Sequence, residues 1–156
     1  MFSKEQSNWD LSIDDRSGQL MLVVEVKTKR NASSEWAVQL RSNILAHGTF
    51  PKAPYFLMVF PDRFYLWTGA DDQRAQREPD YSIDARPIFQ PYFEKAGVSE
   101  DKISGQSFEL IVASWLGRII HASRPIDSTN ISQQWLIESG LYDAIIGGSF
   151  ENRAAA

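Results

Sequence analysis

The stretch LMLVVEVKTK, residues 20–29, constrains this chain more than any other. A run this apolar and of strand length belongs inside a sheet. Yet Glu25 and Lys27 stand two apart in its second half, and the period of a strand puts them on one face. Alternation sends Met21 and Val23 to that same face, and Leu22, Val24 and Val26 to the other. A face that is half apolar and half charged suits a cleft better than a fully wet surface, because charge withdrawn from water needs compensation.

The preceding segment, WDLSID at 9–14, also alternates, with Trp9, Leu11 and Ile13 on one side and Asp10, Ser12 and Asp14 on the other. DRSG supplies turn chemistry after it, so the two segments form a β-hairpin. With a loop at Arg16 to Gln19, Asp10 stands directly opposite Glu25, with Cβ atoms about 5 Å apart. A two-residue loop at Arg16-Ser17 makes the two diagonal neighbours at about 7–8 Å. Two carboxylates so placed repel. A divalent cation resolves the conflict, with Lys27 alongside to neutralise charge on a phosphoryl group or to help position or deprotonate a water. The plainer reading is a wet hairpin face on which Asp10, Ser12 and Asp14 oppose Glu25, Lys27 and Lys29 as cross-strand charge pairs.

Cysteine is absent and the histidines are only His47 and His121, which excludes a disulfide framework, a Cys-ligated zinc site and a thiol nucleophile. Any metal would take oxygen ligands, which points to Mg2+ or Mn2+.

Asn31-Ala-Ser-Ser carries capping groups for a helix starting near Ser33 or Ser34, with Trp36, Val38, Leu40, Ile44 and Leu45 as apolar surface, Gln39 and Arg41 among them, and His47-Gly48 at its end. YFLMVF at 55–60 reads as a buried strand, and RFYLW at 63–67 as the next one. Residues 69–82 read as a solvated loop. A short helix is expected around 87–96, and two longer ones at about 105–121 and 130–146, with ENRAAA fraying. The order predicts an α/β (α+β) fold: a mixed β-sheet with a crossover helix between parallel second and third strands, and C-terminal helices. Residues 1–68 would form the sheet and crossover helix, and residues 69–156 a helical C-terminal part of the same domain.

Asp10, the Glu25-Val26-Lys27 triplet and the Gln39-bearing helix together resemble the PD-(D/E)XK nuclease superfamily, the restriction-endonuclease-like enzymes. The resemblance covers about residues 8–67, and RFYLW is similar to a segment of several members. It implies a Mg2+- or Mn2+-dependent hydrolase cutting phosphodiester bonds, with DNA as substrate. By position, Asp10 and Glu25 would be metal ligands, Val26 would offer its backbone carbonyl, Lys27 would be the catalytic lysine, and Gln39 would add a polar group. Two departures stand out. Asn8-Trp9 replaces a proline that often precedes the aspartate. The family core also begins with a helix and a further strand before that aspartate, whereas nine residues precede it here. Either the chain is a shortened or alternatively started form, or another element covers that flank.

The formal net charge of −4 argues against coating nucleic acid by global charge. A local patch remains: Lys27, Lys29 and Arg30 with Arg16 are the densest positive cluster, and Lys29, Arg30 and Arg41 are the candidate phosphate contacts. No run approaches the roughly 20 apolar residues that cross a bilayer, and the N-terminus lacks an apolar signal region, so the expectation is a cytoplasmic protein without membrane contact. A second function class fits the same residues: a nuclease-like domain without catalysis, serving as a binding or assembly module with a protein partner or as a homo-oligomer.

Overall fold

A computed structural model describes residues 10–47, 53–69, 76–122 and 133–151. Trp9 and Gly48 lie outside them, as do residues 70–75 of the expected 69–82 loop.

The hairpin forms β1 (Leu11–Asp14) and β2 (Leu20–Val26). Its turn is built by Asp15, whose carboxylate accepts from the Ser17 and Gln19 backbone N–H groups at 2.8 and 3.0 Å. The crossover helix α1 (Ser34–His47) begins where the Ser33 hydroxyl accepts from the Trp36 N–H at 3.1 Å. It returns the chain to β3 (Tyr55–Val59), which pairs parallel with β2 and antiparallel with β4 (Arg63–Thr68). Then follow β5 (Tyr81–Asp84), α2 (Arg86–Ala96), α3 (Gly105–Ile120), α4 (Gln134–Glu138), α5 (Leu141–Ile145) and β6 (Ser149–Phe150). The six strands form one mixed sheet in the order β5-β4-β3-β2-β1-β6.

The sheet is buried on both faces, which is why β3 is apolar throughout. On one face α1 packs over Val23, Phe56, Met58, Tyr65 and Trp67. On the other, Leu22, Val24, Leu57, Val59, Phe64 and Leu66 meet the helices α2, α3, α4 and α5. None of the described helices is long and apolar enough to cross a membrane.

Four expectations change. Register shifts between Ile13 and Asp14, which pair with Leu22 and Leu20, so Met21 is an extra residue in β2. It packs with the α2–α5 core, not on the face of Val23, while Leu20 packs toward α1. The C-terminal part is not purely helical, since β5 and β6 extend the sheet at both edges. Residues 81 and 82, read as loop, belong to β5 because Tyr81 and Ser82 pair with Leu66 and Tyr65. The expected helix at 130–146 is two short helices, broken at Ser139-Gly140. Gly140 adopts φ +82°, and the Tyr55 hydroxyl, donating to the Ser139 carbonyl at 2.9 Å, sits where a Cβ on Gly140 would be.

Candidate active site

The ladder between β1 and β2 ends at Leu11 opposite Val24. Carried one residue further, that register sets Asp10 across from Glu25. Asp10 stays tied to β2 through two bonds: its N–H donates to the Val24 carbonyl at 2.9 Å, and its carboxylate accepts from the Val26 N–H at 2.7 Å. Glu25 pairs with Met58 of β3, a residue of the α1-side core, so its carboxylate emerges on that face.

Glu25 is 8% exposed, and its Oε1 is buried without a hydrogen-bond partner. Burial, and next the charge of Asp10, push its pKa up to about 7 from a usual 4.5, against the opposing pull of Lys27. The charge of Asp10 acts on Glu25 in keeping with the hairpin register that sets the two residues across from each other. Lys27 Nζ lies 3.2 Å from Glu25 Oε2 and is only partly covered. Its backbone N–H donates to the Val59 carbonyl at 2.9 Å, which fixes it at the C-terminal ends of the parallel strands. Ligands of open α/β sheets bind at such ends.

Among the described residues, no three His, Cys, Asp or Glu side chains gather into a metal-holding group. The pair Asp10 and Glu25 supplies two carboxylates, the number Mg2+ takes from a protein when it keeps several waters. The orphaned Oε1 of Glu25 and the repulsion between the two acids fit a cation, so the donor set suits one.

The remaining sequence candidates divide. Lys29 and Arg30 are exposed in the loop after β2. Gln39 lies on the exposed side of α1, away from the sheet-facing Ala37 and Val38, and does not join the acidic pair. Arg41 is a correction. It is fully buried, its guanidinium 5.5 Å from the Trp67 ring centroid, and it therefore offers no surface contact to phosphate. His121 is exposed at the C-terminal end of α3.

Sequence reasoning missed Asp62. This 5%-exposed residue in the β3–β4 turn accepts from the Asn31 N–H at 3.0 Å and approaches Arg86 at 3.8 Å. It anchors the loop that follows Lys27. The Pro61-Asp62 break was visible, but as a turn signal only.

No protein-family model matches this chain. No curated protein matches it significantly, and no solved structure does.

Proposed function

We propose that the protein is a metal-dependent nuclease of the PD-(D/E)XK type, with a restriction-endonuclease-like arrangement of its mixed sheet, hydrolysing phosphodiester bonds in DNA. The observation that carries this reading is the acidic pair: a buried Glu25 that the hairpin register sets across from Asp10, with Lys27 Nζ at 3.2 Å. Asp10 and Glu25 would hold Mg2+ or Mn2+, with the Val26 carbonyl as a further oxygen donor, and the bound ion supplies charge to the phosphoryl oxygens and an activated water. Lys27, freed from neutralising Glu25 alone, donates to a phosphate oxygen or orients the water as negative charge develops. β6 pairs with the turn end of β1, where Ser149 and Phe150 stand opposite Asp14 and Ile13.

The test is nicking of supercoiled plasmid in Mg2+ or Mn2+. Lys27→Ala should lower the rate by about 100-fold or more while circular dichroism stays unchanged. Cleavage that persists in both Lys27→Ala and Glu25→Ala overturns the proposal.

The Lys27–Glu25 ion pair also favours a second reading, since it offsets the Glu25 charge without any metal. In that reading the domain is a catalytically inactive assembly module, and the open side chains of Leu110 (67% exposed) and Ile137 (41%) meet a protein partner or a second copy. Calorimetric titration with Mn2+ separates the two. Binding that is lost in Asp10→Ala supports the nuclease, and no binding to wild type supports the module.

A further inference from the structure

Four of the five tryptophans are described, and three of them, Trp67, Trp115 and Trp135, are at most 5% exposed. Trp36 is 37% exposed. It stands in the first turn of α1, and its ring meets the fully buried Phe60 edge-on, with centroids 5.8 Å apart and planes at 70°. The near-perpendicular contact with Phe60 anchors the indole while more than a third of its surface stays in solvent. Lys29 Nζ lies 5.2 Å from the centroid of that ring.

Lys29 and Arg30 project from a fixed loop. Asn31, at φ +60°, is held by the Asp62 carboxylate at 3.0 Å, and the Ala32 carbonyl accepts from the Tyr65 hydroxyl at 2.6 Å. Asn tolerates that left-handed backbone better than most side chains, so the bend is built in. Phe60 belongs to the same face as Met58, the neighbour of Glu25 across β2 and β3. Trp36, the loop that carries Lys29 and Arg30, and the acidic pair therefore gather at the C-terminal end of β2 and β3. Beside them is a cleft of about 650 Å³, bordered by Asn31, Ser34, Asp62, Arg63, Ser82 and Arg86, in which Arg63 is the guanidinium without a carboxylate at ion-pair distance among the described residues, since Arg86 lies 3.8 Å from both Asp62 and Glu100.

We propose that Trp36 and Lys29 form a stacking platform for an unpaired nucleobase, so that the substrate is single-stranded where it meets this site. The inference rests on the nucleic-acid reading above and names its substrate class. An indole face is sequence-tolerant and attracts any base, but in a duplex both faces of each base are already covered by neighbours. Lys29, Arg30 and the arginines of the cleft then meet the flanking phosphates, which position the strand without reading its sequence.

The test is fluorescence anisotropy with labelled oligothymidine and a duplex of equal length, with metal chelated so that nothing is cut. Wild type should prefer the single strand. Trp36→Ala should lose about tenfold or more of single-strand affinity, with duplex binding unchanged, and Trp36→Phe should keep most of it. A second readout covers failure of Trp36→Ala to fold: oligothymidine should quench tryptophan emission in wild type and not in Trp36→Phe. The platform is overturned by equal affinity of Trp36→Ala and wild type, by preference for duplex, by quenching that persists in Trp36→Phe, or by no binding of either nucleic acid. Loss of cleavage in Lys27→Ala alongside any of these leaves the nuclease reading standing without the platform.

Discussion

The two faces of the sheet are built on different terms. Against α2–α5, the core is an aromatic chain: Phe64 stacks on Trp115 with centroids 5.0 Å apart, Phe89 meets Phe64 at 5.2 Å and Phe108 at 5.3 Å. Every buried member of that core is hydrophobic, although the indole N–H of Trp115 is buried without a partner. Against α1 or at the adjoining strand ends lie the buried polar residues Ser12, Glu25, Arg41, Ser42 and Asp62. Burying such groups costs stability unless they are satisfied. The comparison teaches that the α2–α5 face stabilises the fold through apolar burial, while the α1 side carries buried polar groups at a cost in stability.

The largest effect should come from the aromatic face. Phe64→Ala removes the ring that touches Phe89, Trp115 and Trp135, and denaturant unfolding should show a loss of about 3–5 kcal/mol. A loss under about 1 kcal/mol would break the contrast, because an apolar core of this density cannot give up a ring so cheaply.

The polar face gives the next effect, with opposite sign. Glu25 holds its proton in the folded state up to about pH 7, whereas the unfolded chain releases it near 4.5. Between those values the folded state binds more protons, so stability falls as pH rises and levels off above about 7. Glu25→Gln should remove this slope and, at about pH 8 without metal, stabilise the protein by up to roughly 3 kcal/mol. Thermal melts across pH check it; a wild-type profile rising from pH 5 to 7 would contradict the burial argument.

The smallest effect sharpens the comparison. Tyr65→Phe deletes the hydroxyl that holds the Ala32 carbonyl at 2.6 Å, and should cost about 1 kcal/mol in urea unfolding. Amide exchange should then quicken at Ala32 and its neighbours while the aromatic face stays protected.

What the sequence disclosed follows the same division. The hairpin, the crossover helix and the parallel strand were legible because period-2 alternation, the Asn31-Ala-Ser-Ser cap and the YFLMVF run are local signals. The register that sets Asp10 across from Glu25 is untouched by the extra residue at Met21, because the shift lies between Ile13 and Asp14, on the turn side of Leu11 and Ser12. β5 and β6 were not legible: strands of four and two residues owe their state to the sheet edges they pair with. Arg41 misled because a charged residue on a helix is presumed wet. Its place at the sheet-facing spacing from Ala37 and Val38 was the signal that should have counted. The break at Gly140 was written as Ser139-Gly140, yet an apolar pattern on both sides concealed it.

The pairing of β6 with β1 has a consequence for how the protein is made. Gly148 enters that pairing so tightly that a Cβ would fall 2.0 Å from the Asp14 carbonyl oxygen. β1 precedes β6 in the chain, so its outer edge at Ile13 and Asp14 stays bare until residues 149 and 150 have been translated. Until then the sheet shows unpaired backbone groups at Ile13 and Asp14, a template on which another strand could pair.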